Sequence, residues 1–180
     1  MARPRSLLHV RPIAPPARRE QSPGPAEPPP WDRWAPSWEG AEDGVFLELT
    51  GTERLYGAGL DGASRVCRLA SRAGRGLAGG LASGRLAARL ASRLALAALA
   101  GGGPGRAGAV LAVLPGGDAA FLAPFAIAVL APGHPRAVPV LAARGVRRVA
   151  DLQAVPPALL ASLLGSEGAR LSAAARGEDE

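Results

Sequence analysis

The sequence predicts an α+β fold, with short strands and two long helices first and a small helical region after them. Three observations carry this. The stretch Val45 to Thr50 is β-prone and closes at Gly51. Ala63 to Ala73 and Leu86 to Leu99 repeat basic and apolar residues at helical spacing. Beyond Gly108, short apolar runs are punctuated by Gly and Pro, which suits short helices rather than a sheet.

Residues 1–40 hold ten of the eighteen prolines. Runs such as Pro15-Pro16 and Pro28-Pro29-Pro30 lack backbone donors and favour extended chain, so this Pro/Arg-rich segment is expected to be disordered. Trp31, Trp34 and Trp38 close it and are expected to cover an edge of the folded part, a partner-docking peptide being the alternative. Val45 to Thr50 is the clearest strand, and Thr52 to Gly57 follows as a turn and short helix. In the first long helix Arg65, Arg68, Arg72 and Arg75 share one face, opposite Val66, Leu69 and Ala70. A glycine-rich passage, Gly74 to Gly84, holds a short strand at Leu77 to Leu81. In the second long helix Arg85, Arg89 and Arg93 recur every four residues beside Leu86, Leu90 and Leu94. Phe46, Leu49, Leu86 and Leu90 are the expected core where the strand meets this helix.

Gly101 to Gly108 reads as a break, dividing residues 41–108 from residues 109–180. Phe121 to Pro124 and Ile127 to Leu130 are short apolar elements. Ala137 to Arg144 and Pro156 to Leu164 read as helices stopped by Gly145 and Gly165, with Gly145 to Leu152 as the link. Leu171 to Arg176 is the last short helix.

Composition excludes several classes of protein. The chain has 180 residues, enough for one domain or a domain plus a tail. Hydrophobic residues make up 48% but aromatics only 4%, so the core must be built from Ala, Leu and Val. A single cysteine, Cys67, excludes an internal disulfide framework and a Cys-rich zinc site, and His9 and His134 stand too far apart in sequence to suggest a shared metal. Apolar runs fall short of the roughly 18–20 residues of a membrane span. The most apolar stretch, Ala107 to Ala131, is broken by Pro115, Asp118 and Pro124. Leu7-Leu8 is too short an apolar run for a signal peptide. The expectation is a soluble cytoplasmic protein with no membrane partner. All 21 basic residues are arginine, against 15 acids. From Gly62 to Ala150 twelve arginines face one acid, Asp118, which is the charge footprint of a polyanion-binding protein.

Motif tests for other chemistry fail. Gly74 to Gly79 fits GxGxxG, but a helix rather than a strand precedes it, and with no lysine there is no phosphate-binding P-loop. Ser64 and Ser83 have no His nearby in sequence, and His134 between Gly133 and Pro135 reads as a loop residue. Of the acids around the strand, Asp43 could supply one metal ligand. Strand alternation puts Asp43 and Glu48 on opposite faces, so they are not expected to share an ion.

Glu42-Asp43-Gly44-Val45-Phe46-Leu47-Glu48-Leu49-Thr50-Gly51 resembles the Ser-x-Asp-Glu-Ala-Phe-Leu-Asp-x-Thr-Gly palm motif of Y-family DNA polymerases, the UmuC-like translesion group that includes DNA polymerase IV. Gly80 to Ser92 is similar to that family's Gly-Ile-Ala-x-Asn-Lys-x-x-Ala-Lys-x-Ala-Ser, and Leu114-Pro115-Gly116 with Phe121 to Phe125 resembles its approach to the thumb. Leu141 to Leu152 resembles the thumb's helix-hairpin-helix segment, and Leu164-Gly165 with Ala175 to Asp179 resembles its closing Gly and Ala-x-Gly-x-Asp. The likeness runs from about Asp43 to Glu180. It implies a truncated palm over residues 41–108 and a small helical thumb with a degenerate hairpin over residues 109–180.

The departures point away from catalysis. A proline-rich segment stands where the family carries its first metal-binding Asp, Gly44 replaces the metal-binding Glu, and Leu96 falls at the Lys that approaches the triphosphate. Pro132-Gly133-His134 replaces the hairpin glycines. Asp43 is then the only retained palm carboxylate, no catalytic or metal residue is expected, and Mg²⁺ would bind only if a catalytic partner completed the site. The pattern is closest to the non-catalytic ImuB-type relatives. It implies a nucleoid-associated adaptor in DNA repair that touches DNA phosphates without reading bases, with other translesion-synthesis or replication proteins as partners. The expected phosphate contacts are Arg136, Arg147, Arg148, Arg85 and Arg89. The alternatives are a polymerase fragment active only with its missing parts, and a protein-interaction module with no DNA binding.

Overall fold

In a computed structural model of the chain, residues 5–13, 30–72, 76–100 and 109–178 are described. They form two compact units, Met1–Val113 and Leu114–Glu180. The fold is α+β, as expected, with a five-stranded mixed sheet confined to the first unit.

The strands are β1 (Leu7–Pro12), β2 (Ser37–Ala41), β3 (Gly44–Glu48), β4 (Leu77–Ala82) and β5 (Val110–Ala112), in spatial order β2-β3-β1-β4-β5. All neighbours are antiparallel except β4 and β5. The centre of the sheet is therefore a segment expected to be disordered. β1 pairs with β3 from Leu7 opposite Glu48 and with β4 from Leu7 opposite Ala82. Its side chains alternate: Leu8 and Val10 face one side of the sheet, Leu7, His9 and Arg11 the other. Pro12 sits at the strand's end, where a missing N–H interrupts no ladder. Pro15, Pro16, Pro28 and Pro29, also expected to be disordered, lie outside the described residues.

Helices cover both faces. On one side lie α1 (Glu53–Tyr56) and α2 (Gly59–Arg72), on the other α3 (Arg85–Ala100). Leu8, Val10, Leu47, Leu49, Leu77 and Leu81 pack with Ala63, Val66, Cys67 and Ala70 of α2 into the main core. Trp31 joins that core, Trp34 packs against it, and Trp38 stays exposed on β2 with its Nε1–H donating to Asp32 at 2.6 Å. The tryptophans thus act mainly as cover for the sheet, as their position suggested.

Of the four expected core residues at the strand–α3 contact, Phe46 and Leu90 are buried, Leu49 is buried in the α2 core instead, and Leu86 is only half-buried. Leu49 is an odd number of residues from Phe46, so the pleat sends it to the opposite face. With 5% of Leu90 exposed, Leu90→Ala should cost about 2–5 kcal/mol in chemical denaturation. An unchanged midpoint would contradict its burial.

The second unit is all helical: α4 (Asp118–Leu122), a 3₁₀ turn (Ile127–Leu130), α5 (Ala137–Ala142), α6 (Val149–Gln153), α7 (Pro157–Leu164) and α8 (Ser166–Arg176). The boundary lies at Val113 rather than at residue 108, because β5 adds to the sheet through its parallel pairing with β4. The expected link before Leu152 contains α6, and the last helix starts at Ser166, five residues before the expected Leu171. α7 and α8 cross closely at Gly168, where an added Cβ would lie 2.2 Å from the Leu160 carbonyl oxygen.

Candidate functional site

Asp43 lies in the tight turn Glu42-Asp43 that joins β2 to β3. Three arginines converge on its carboxylate. Arg11 of β1 donates from Nη2 to Oδ2 at 2.5 Å. From α3, Arg89 Nε donates to Oδ2 at 3.0 Å and Arg93 Nη2 to the same oxygen at 3.2 Å. Arg89 and Arg93 are four residues apart on the helix and so share the face that meets the turn. Burial alone would raise the carboxyl's pKa. The Arg89 hydrogen bond and the surrounding positive charge override it and hold Asp43 below its ordinary range.

His9 is the fully buried neighbour of this cluster. Its Nδ1 lies 2.7 Å from Ser92 Oγ, and Ser92 Oγ lies 2.8 Å from the Arg89 carbonyl oxygen. The carbonyl can only accept, so the hydroxyl proton points to it and the imidazole carries its proton on Nδ1. Nε2 is then an acceptor, 3.5 Å from Asp43 Oδ1, another acceptor, and neither atom has a hydrogen-bond partner. Burial lowers the His9 pKa to about 4; Asp43 pulls it up, while Arg11, Arg89 and Arg93 push it further down. The imidazole also leans on Phe46 at 4.5 Å, and Arg85 covers the other part of that ring at 4.5 Å while pairing with Glu39 at 2.7 Å.

Gly44 closes the site. A Cβ there would lie 2.8 Å from His9 Cε1 and 2.9 Å from Nε2, with the Val10 carbonyl oxygen nearer still. No side chain, and so no second carboxylate, fits beside Asp43 while β1 holds this position. Among the described residues there is no group of three or more His, Cys, Asp or Glu able to hold a metal ion.

The expectation that Asp43 and Glu48 lie on opposite faces is not met; both reach the α3 side, and distance keeps them apart. Asp43 is in the turn, so strand alternation does not govern it, and its side chain reaches the α3 face. Glu48 points to the same face from the far end of β3, where it accepts from Arg5 Nε at 2.9 Å and from Thr50. Four strand residues lie between them, five steps or about 16 Å of extended chain.

The arginines named from sequence fall into two groups. Arg85, Arg89 and Arg93 are ion-paired within the first unit. Arg65 and Arg68 of α2 are exposed, while Arg75 lies outside the described residues. In the second unit Arg136, Arg147 and Arg148 are all exposed. Arg147 and Arg148 enter α6 through a turn in which their backbone N–H groups donate to Asp151 Oδ2 at 2.9 and 2.8 Å. Those two bonds, helped by the positive charge of the same two arginines, keep the Asp151 carboxyl below its usual pKa. Sequence reading missed His9, Arg11 and Ser92, because the strand that carries two of them was not recognised.

No protein-family model matches this chain, and no curated protein matches it. Among the described residues no helix is long and apolar enough to cross a membrane.

Proposed function

We propose that this chain is a non-catalytic, DNA-binding adaptor of the Y-family-like kind, working in translesion synthesis and DNA repair. The observation that carries the reading is the arginine closure of Asp43. Metal-assisted phosphoryl transfer needs clustered carboxylates free to clamp divalent ions. Here the one carboxylate matching the palm motif accepts from three guanidiniums, Gly44 leaves no room for a second, and the adjoining strand offers His9. β1 supplies the N-terminal strand that the resemblance calls for, without the acid it calls for. No cofactor is expected, and Mg²⁺ would enter only with a partner that rebuilt the site.

The DNA contact falls to Arg136, Arg147 and Arg148. These exposed guanidiniums suit phosphate contacts, which position a protein on DNA without reading sequence. Arg85 and Arg89, bound internally, contribute only if their acidic partners release them. Other translesion-synthesis or replication proteins remain the proposed protein partners, in the cytoplasm at the nucleoid.

Two measurements test the reading. Primer extension with the purified chain and Mg²⁺ should give no template-dependent incorporation; incorporation would overturn the non-catalytic assignment. Duplex binding should weaken with salt, and replacing Arg136, Arg147 and Arg148 by Ala should lower the slope of log K against log salt by about 0.9 for each lost contact. Equal slopes would mean that these side chains touch no phosphate.

A further inference from the structure

We propose that Arg11, Arg89 and Arg93 form a phosphate-binding site in which the Asp43 carboxylate is an internal stand-in that the phosphate displaces. The inference stands without the DNA reading, because free phosphate has the required chemistry as well as a nucleic-acid backbone does.

The charge balance is the first argument. Three guanidiniums meet one carboxylate, an excess of two positive charges within one cluster. The nearest other acids do not correct it: Glu39 is committed to Arg85, and Glu42 points from the same turn into solvent. A phosphate dianion matches the excess, and guanidinium groups bind its oxygens in paired, charge-assisted contacts.

Fit is the second argument. Arg11 and Arg93 both donate to Oδ2 of Asp43, and the single Arg89 Nε–H is shared between the two oxygens, 3.0 Å from each, with its hydrogen bond aligned on Oδ2. Oδ1, though 3.0 Å from Arg89 Nε, receives no aligned hydrogen bond and faces the lone pair of buried His9 Nε2 at 3.5 Å, an arrangement of two acceptors that neither side gains from. A tetrahedral anion would spread the same donors over several oxygens. It would also let Asp43 turn outward, since a turn residue is not held by the pleat of a strand.

Access is the third argument. The Arg93 side chain is 49% exposed, Arg89 26% and Asp43 17%, so the cluster opens to solvent along α3 while Arg11 forms its floor at 13%.

The test uses the full chain with inorganic phosphate as the probe, titrated calorimetrically at pH 7.5 against sodium chloride of matched ionic strength. Asp43→Asn removes the competing charge and keeps the shape, so phosphate should bind on the order of tenfold tighter than to the wild type. Arg93→Gln, at the most exposed member, should bind about tenfold more weakly. Asp43→Asn should also melt lower in chloride and recover in phosphate by mass action. Phosphate binding no tighter in Asp43→Asn than in the wild type, or equal recovery in chloride, overturns the proposal. If Asp43→Asn does not fold in either salt, an unchanged affinity in Arg93→Gln overturns it alone. A duplex oligonucleotide that competes with phosphate identifies the nucleic-acid backbone as the source, and one that does not identifies free phosphate. Loss of duplex binding with phosphate binding intact would sink the DNA reading and leave this site standing.

Discussion

Gly80→Val should destabilise the first unit by about 3 kcal/mol or more, a large share of the stability of an ordinary fold, and lower its melting temperature accordingly. Gly80 is central in β4 and pairs with His9 of β1. An added Cβ would lie 2.1 Å from the Ala88 carbonyl oxygen and 2.2 Å from Ser92 N, both backbone atoms of α3. Backbone in a helix cannot swing aside as a flexible side chain can, so the helix must lift off the sheet. The facing surface of α3 is made of small residues, Ala87, Ala88, Ala91 and Ser92, all buried. That close approach is what brings Ser92 Oγ within 2.7 Å of His9 Nδ1. The control is Gly40→Ala on β2, where an added Cβ meets nothing within 4 Å, and the expected change is under about 0.5 kcal/mol. Equal melting of the two variants would mean that α3 does not rest on Gly80.

The same contact shows where sequence reasoning succeeds and where it stops. The periods of α2, α3 and β3 are local, and each element forms within a few residues of its expected ends. β4 was legible for the same reason. β1 was not: Leu7 to Pro12 carries His9, Arg11 and Pro12, and prolines follow at Pro15 and Pro16. What makes it a strand is two ladders to partners more than thirty residues away, Glu48 and Ala82 opposite Leu7 among them. A non-local stabilisation leaves no local signature. β5 is similar, with three residues held by parallel pairing to β4.

Missing β1 meant missing the site. Asp43, Arg85 and Arg89 were each singled out from sequence, the first as a lone carboxylate and the others as a DNA-facing stripe. Only the central strand shows that Asp43 and Arg89 belong to one cluster, since Arg11 and His9 complete it. The stripe on α3 runs beside a turn and a sheet, where Arg85 and Arg89 are half-buried in ion pairs, while Arg65 and Arg68 of α2 face solvent. Helical spacing identifies a face but not what the face meets. In the second unit Arg147 and Arg148 were legible as loop residues because Gly145, at φ 89°, marks the end of the helical run before them.

Lowering the pH from 6.5 to 4 should remove about 3 kcal/mol of stability through His9 alone. The imidazole has a pKa of about 4 in the fold against 6.5 as its ordinary value, because burial disfavours the charged form and the three arginines add to that. The folded state therefore holds His9 neutral while the unfolded chain takes up a proton. Its contribution is fully present above pH 6.5 and is lost as the pH falls toward 4. Asp43 and Glu48, whose pKa values are also lowered, act in the same direction, but their loss begins only as the pH falls into the ordinary carboxylate range, so the upper part of the window belongs to histidine. His134, lowered by partial burial, shares the His9 window and must be replaced by Asn in the background. Urea denaturation from pH 7.5 to 4.5 in that background should show a steady loss, and His9→Gln should flatten it. A flat curve with His9 present would mean that the imidazole takes up its proton in the fold as readily as in the unfolded chain. Its Nε2–H would then donate to Asp43 Oδ1, and the cluster would carry three positive charges in excess rather than two.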